Sequence, residues 1–134
     1  MHFKGNYDRM EIDMAKEKYS IREKIFKNVK QKFSERFNVE EKPYSESSPD
    51  IVLYDKTYGE AIFDMFIIEP NDQALVKFDG WKKYLNNRPE KHYIITPKDK
   101  ADEVKIYSNL ISEDIAIATY IIREDSKIEE IIYE

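Results

Sequence analysis

No glycine or proline interrupts the chain from Arg9 to Phe37, and Met10, Met14, Ile21, Ile25, Val29, Phe33 and Phe37 recur there at steps of four or seven. That spacing places one apolar stripe along a helix, so the chain is expected to begin with a long helix that lays the stripe on a second layer. The other faces are cationic. Lys16, Lys18, Arg22, Lys24, Lys27, Lys30, Lys32 and Arg36 stand against Glu17, Glu23 and Glu35, which gives residues 16–36 a net of +5 in a chain of net charge −5. A solvated helix face accounts for such charges, and a phosphate-facing surface is the sharper reading.

After the helix the pattern changes. Asn38 to Ser48 is polar, carries Pro43 and lacks periodicity, so it reads as a loop. Asp50 to Asp55 and Glu60 to Ile68 are short β-branched runs joined by a turn that contains Gly59, and they predict an antiparallel hairpin. Ala74, Phe78, Trp81 and Leu85 then fall at i, i+4, i+7 and i+11, the stripe of a second helix that ends near Pro89. His92 to Thr96 reads as a strand, the stretch from Asp99 or Lys100 to Ser112 as a helix with Val104, Tyr107, Leu110 and Ile111 inward, and Ile115 to Ile122 as a strand. The tail from Ser126 fits helix or strand. Strand-helix-strand passages favour parallel pairing and the tight turn antiparallel pairing, so an α/β fold with a mixed sheet is expected.

Composition narrows the chemistry. At 134 residues and 41% hydrophobic content the chain suits a single domain spanning residues 1–134. Without cysteine, and with histidine at positions 2 and 92 alone, it has no disulfide frame, thiolate nucleophile or cysteine zinc site, and any metal needs oxygen ligands. Glycines at 5, 59 and 80 make no phosphate loop, which disfavours a nucleotide cofactor. No apolar run is long enough to span a bilayer and Met1 to Met10 is too polar for a signal peptide, so a cytoplasmic protein without a membrane partner is expected.

Asp64 lies within an otherwise apolar strand, where an ionised carboxylate needs a cation, a metal or an exposed strand edge. Asp50 follows Pro49 at the start of the preceding strand, and a short hairpin can bring the two acids to the same side. Paired hard oxygen ligands suit Mg²⁺ and phosphodiester hydrolysis.

Pro49-Asp50-Ile-Val-Leu-Tyr-Asp55, the Gly59 turn and Glu60-Ala-Ile-Phe-Asp64-Met65-Phe66 together resemble the core of the PD-(D/E)XK, or restriction-endonuclease-like, nuclease superfamily. With the flanking elements the resemblance covers roughly residues 9 to 97. It implies a restriction-endonuclease-like α/β fold, a mixed central sheet flanked by helices, with Mg²⁺ or Mn²⁺ held by Asp50, Asp64 and Met65. DNA would be the substrate, and a homodimer could assemble a basic channel. The chain departs from the pattern at Phe66, where the family has a lysine that activates or orients the attacking water. A ring cannot do that work.

Lys77, one turn before Trp81, is the candidate replacement, and Glu17 the candidate extra acid near the metal. A snorkelling lysine and a boundary glutamate are their blander readings. Trp81, Phe26, Phe33 and Phe37 read as core rather than as base-stacking platforms, and His92 has no triad partner in any recognised motif. Three functions follow: a metal-dependent DNA endonuclease or resolvase-type phosphodiesterase with a relocated lysine, a catalytically degenerate nuclease fold that binds nucleic acid or protein, and an unrelated α/β domain. The last would have Asp50 and Asp64 on opposite sides of the hairpin.

Overall fold

The computed structural model describes residues 21–125 and 127–133. The predicted first helix is therefore followed only from Ile21, and Met10, Met14 and the candidate acid Glu17 lie outside the described residues. Helix α1 comprises residues 21–33 and buries Ile25 and Val29, as the stripe requires. It ends earlier than its periodicity suggests. The Ser34 N–H reaches the Lys30 carbonyl (3.0 Å) and the Arg36 N–H the Phe33 carbonyl (3.1 Å), and this turn delivers Phe37 to a strand.

That strand, β1 (Phe37–Glu41), replaces the loop expected from residue 38 onward. It pairs antiparallel with β2 (Ile51–Asp55), Phe37 opposite Asp55 and Glu41 opposite Ile51. Local sequence is nearly silent here, because an edge strand needs one ladder and a weak alternation, supplied by half-buried Phe37 and Val39. The predicted hairpin is thus a three-stranded meander. Its second turn leads into β3 (Ala61–Ile67), with Gly59 at φ 70° and the Asp55 carboxylate accepting the N–H groups of Tyr58 (2.5 Å), Thr57 (2.9 Å) and Glu60 (3.0 Å).

Helix α2 (Ala74–Asn87) then crosses to β4 (Lys91–Pro97), and a 3₁₀ turn (Lys98–Lys100) with α3 (Ala101–Ile111) crosses to β5 (Ala116–Tyr120). Both crossovers give parallel pairs, and the tail closes as a short antiparallel strand, β6 (Ile132–Tyr133). The six strands lie in chain order across one mixed sheet.

Alternation along the strands sends their side chains into two cores. Ile51, Leu53, Met65, Ile67 and Ile95 meet Ile25 and Val29 of α1, while Phe66, Ile68, Ile94 and Ile117 meet α2 and α3. Helix α2 buries the four residues its stripe specifies, Ala74, Phe78, Trp81 and Leu85. Helix α3 differs from expectation, since Leu110 is 80% exposed and Ser108 is buried. Its sheet-facing line runs Val104, Ser108, Ile111, and the Ser108 hydroxyl can be buried because it donates to the Lys105 carbonyl at 3.0 Å. No helix among the described residues is long and apolar enough to cross a membrane.

The connection between β1 and β2 lies against α2 at Gly80, where an added Cβ would stand 2.1 Å from the Glu46 carbonyl oxygen. Gly80→Ala gains roughly 1 kcal/mol of helix propensity but must displace backbone, a strain of about 1–3 kcal/mol. The expected outcome is a net loss of stability by urea melt, with amide shifts concentrated in residues 42–49. An unchanged or raised midpoint would show that this contact is loose.

Candidate functional site

Asp50 is 6% exposed and its carboxylate is fully engaged. Oδ1 pairs with the Arg22 guanidinium of α1 at 3.1 Å, and Oδ2 accepts the Ile67 N–H at 2.8 Å. The same guanidinium donates to the Lys42 carbonyl at 2.7 Å, so one cation ties α1 to both ends of the β1–β2 connection. Burial pushes the Asp50 carboxyl above its ordinary 3.8, against the pull of the Ile67 N–H and of Arg22 and Lys77.

Asp64 is 0% exposed and takes a different partner. On the parallel β3–β4 ladder it stands beside His92, whose Nδ1 hydrogen-bonds Asp64 Oδ1. The pair lies under an aromatic lid, with the imidazole 6.3 Å from the rings of both Phe66 and Tyr84. Asp64 Oδ2 and His92 Nε2 are buried without hydrogen-bond partners. Burial raises the Asp64 carboxyl and His92 opposes the shift.

The two acids expected to share an ion each have a partner of their own, Asp50 the Arg22 guanidinium of α1 and Asp64 the His92 imidazole of the neighbouring strand. The ladder sets Asp64 opposite Val52 and Met65 opposite Ile51, so one further step puts Phe66, not Asp64, across from Asp50. The Met65 carbonyl accepts the Asp50 N–H at 2.9 Å, and its side chain is in the α1 core. Among the described residues no three acidic or histidine side chains are placed to hold a metal. Mg²⁺ keeps several waters and is held by one or two carboxylates with substrate phosphate, and in this arrangement one oxygen of Asp50 is on Arg22 and one of Asp64 on His92.

Lys77 is near Asp50 but is not a free base. Its ammonium lies 3.7 Å from Asp72 Oδ2, 3.4 Å from the Tyr44 hydroxyl and 5.0 Å over the Tyr44 ring. Burial alone would lower its pKa, yet Asp72, Tyr44 and Asp50 outweigh that and hold it above 10.5. It is an ammonium at neutral pH. Phe66, in the family's lysine position, is 0% exposed and packs on Trp81 at 5.0 Å and Tyr84 at 5.7 Å.

Arg22 and His92 are what sequence reasoning missed. Arg22 was one among many helix charges, and its spacing to the apolar stripe does not reveal that Asp50 awaits it. His92 is the second residue of β4, and register alone puts it beside Asp64; the available signal is the demand of a buried aspartate for a polar partner on the adjacent strand. Compared with protein-family models, curated proteins and solved structures, the chain matches none.

Two outcomes are expected. His92→Leu strands a buried carboxylate and should cost about 3–5 kcal/mol in chemical denaturation, whereas Asp64→Leu/His92→Leu recovers most of that loss; an additive cycle would deny the coupling. The second concerns pH. Carboxyls that bind their protons more tightly when folded contribute stability that is full below 3.8 and is lost as pH rises through the raised values. Side-chain carboxyl resonances of Asp50 and Asp64 should therefore titrate above 3.8, and Asp50→Asn should flatten the fall of stability as pH rises above 3.8.

Proposed function

We propose that this protein is a nucleic-acid-binding domain and not a metal-dependent nuclease. The observation that carries the reading is the outer face of α1 and the turn after it, where Lys27, Lys30, Lys32 and Arg36 are exposed. Among the described residues none of these four has an acidic partner within ion-pair distance, although the chain as a whole is acidic. A local cationic strip that survives in an acidic protein is the electrostatic footprint of a phosphate backbone.

The order helix, three-stranded meander, helix, parallel strand supports reading the fold as restriction-endonuclease-like with the catalytic site lost. What supports the loss is the pairing of Asp50 with Arg22 and of Asp64 with His92, together with the enclosed ring of Phe66. Binding would then rest on backbone charge, which gives affinity without sequence preference.

Fluorescence anisotropy with labelled oligonucleotides should give binding whose log affinity falls with log salt at a slope of about −3 to −4 for four phosphate contacts. Lys27→Glu/Lys30→Glu should weaken binding by at least about 10-fold and leave the melting temperature nearly unchanged. Divalent-dependent cleavage that Asp64→Ala abolishes would overturn the reading in favour of a nuclease.

A further inference from the structure

Five aromatic rings close a circuit on the α1 side of the sheet, at the end where β1 and β4 begin. Phe33 of α1 lies 6.4 Å from Phe37 of β1, which meets Phe63 of β3 edge-on at 5.4 Å. Phe63 lies 5.8 Å from Tyr93 of β4, Tyr93 lies 6.2 Å from Tyr133 of β6, and Tyr133 returns to Phe33 at 5.3 Å. All five are half-buried and border the α1 core. Their inner edges are core, as the spacing of Phe33 and Phe37 predicts, but each keeps surface open to solvent. Phe66 and Trp81 on the other face, at 0% and 1% exposure, do not.

Exposed cations stand over this circuit. Lys32 Nζ is 4.9 Å from the Tyr133 centroid and 6.0 Å from that of Phe33, the Arg36 guanidinium carbon is 5.9 Å from Phe37, and Lys91 Nζ is 5.5 Å from Tyr93. Lys27 and Lys30 continue the positive strip along α1. Rings that can receive a flat π-face, rimmed by cations that can receive the charge two or three bonds away, match the alternation of base and phosphate in an unpaired strand.

We infer that this patch is a stacking platform for single-stranded nucleic acid, with bases on the half-exposed rings and phosphates on Lys32, Arg36 and Lys91. The inference rests on the nucleic-acid reading above and goes further, because α1 by itself would hold duplex and single strand alike. A duplex hides its base faces in its own stack, so it engages the cations and leaves the rings unused. An acidic polypeptide has the charge without the faces.

The test uses the full chain and three labelled probes of about 15 nucleotides, oligo(dT), oligo(rU) and a mixed-sequence duplex, read by anisotropy at fixed salt. Either single strand binding about 10-fold tighter than duplex supports the inference, and the tighter of the two identifies the polymer. Tyr93→Leu, which keeps apolar volume and removes the face, should weaken single-strand binding about 10-fold and leave duplex binding unchanged. Should that variant not fold, Lys91→Ala, an exposed change beside the Tyr93 ring, should weaken single-strand binding more than duplex binding. Equal affinity for strand and duplex, or full competition by polyglutamate of matched charge, would overturn the platform and leave the α1 reading standing. Failure of all three probes to bind overturns both.

Discussion

The ion pair between Arg22 and Asp50 fixes how the layers of this protein meet. A guanidinium from α1 spans the Lys42 carbonyl and the Asp50 carboxylate, and that carboxylate in turn caps the Ile67 N–H of β3. Helix, meander and central strand are joined through one acid. One guanidinium nitrogen, Nη2, serves both acceptors, and its neighbour Nη1 lies 3.8 Å from Glu41 Oε1.

Because Asp50 is engaged in this way, the neighbouring chemistry has a different character from the one its motif implies. Asp64, two residues from the position opposite Asp50, is held by His92 within aromatic packing, with Asp64 Oδ2 and His92 Nε2 left without hydrogen-bond partners. The aromatic residues divide along the same lines. Phe66, Trp81 and Tyr84 seal the sheet under α2, whereas Phe33, Phe37, Phe63, Tyr93 and Tyr133 border the opposite core, and all of these but Phe63 have a cation within about 6 Å. Chemistry directed outward is therefore concentrated on the α1 side.

Much of the scaffold is legible in the residues. The α2 stripe names the four side chains that are buried, and the β2–β3 turn is readable from Gly59 and the Asp55 carboxylate beside it. The parallel strands follow from the length of their crossovers. The misses share a cause. Strand β1 exists because β2 offers an edge, not because Phe37 to Glu41 prefers extension, and α3 buries Ser108, its hydroxyl satisfied by the Lys105 carbonyl, while Leu110 is exposed.

By itself the sequence determined α2, α3 and strands β2 to β5 and which faces of α2 and of the central strands are apolar, because those follow from periods of 3.6 and 2 that any reader of the chain can count. The tertiary structure decided which partner each buried aspartate obtains. That choice depends on register and on the approach of elements distant in the chain: Arg22 reaches Asp50 across 28 positions and His92 reaches Asp64 across another 28. A difference of one strand position, which no local pattern encodes, would have changed both partnerships.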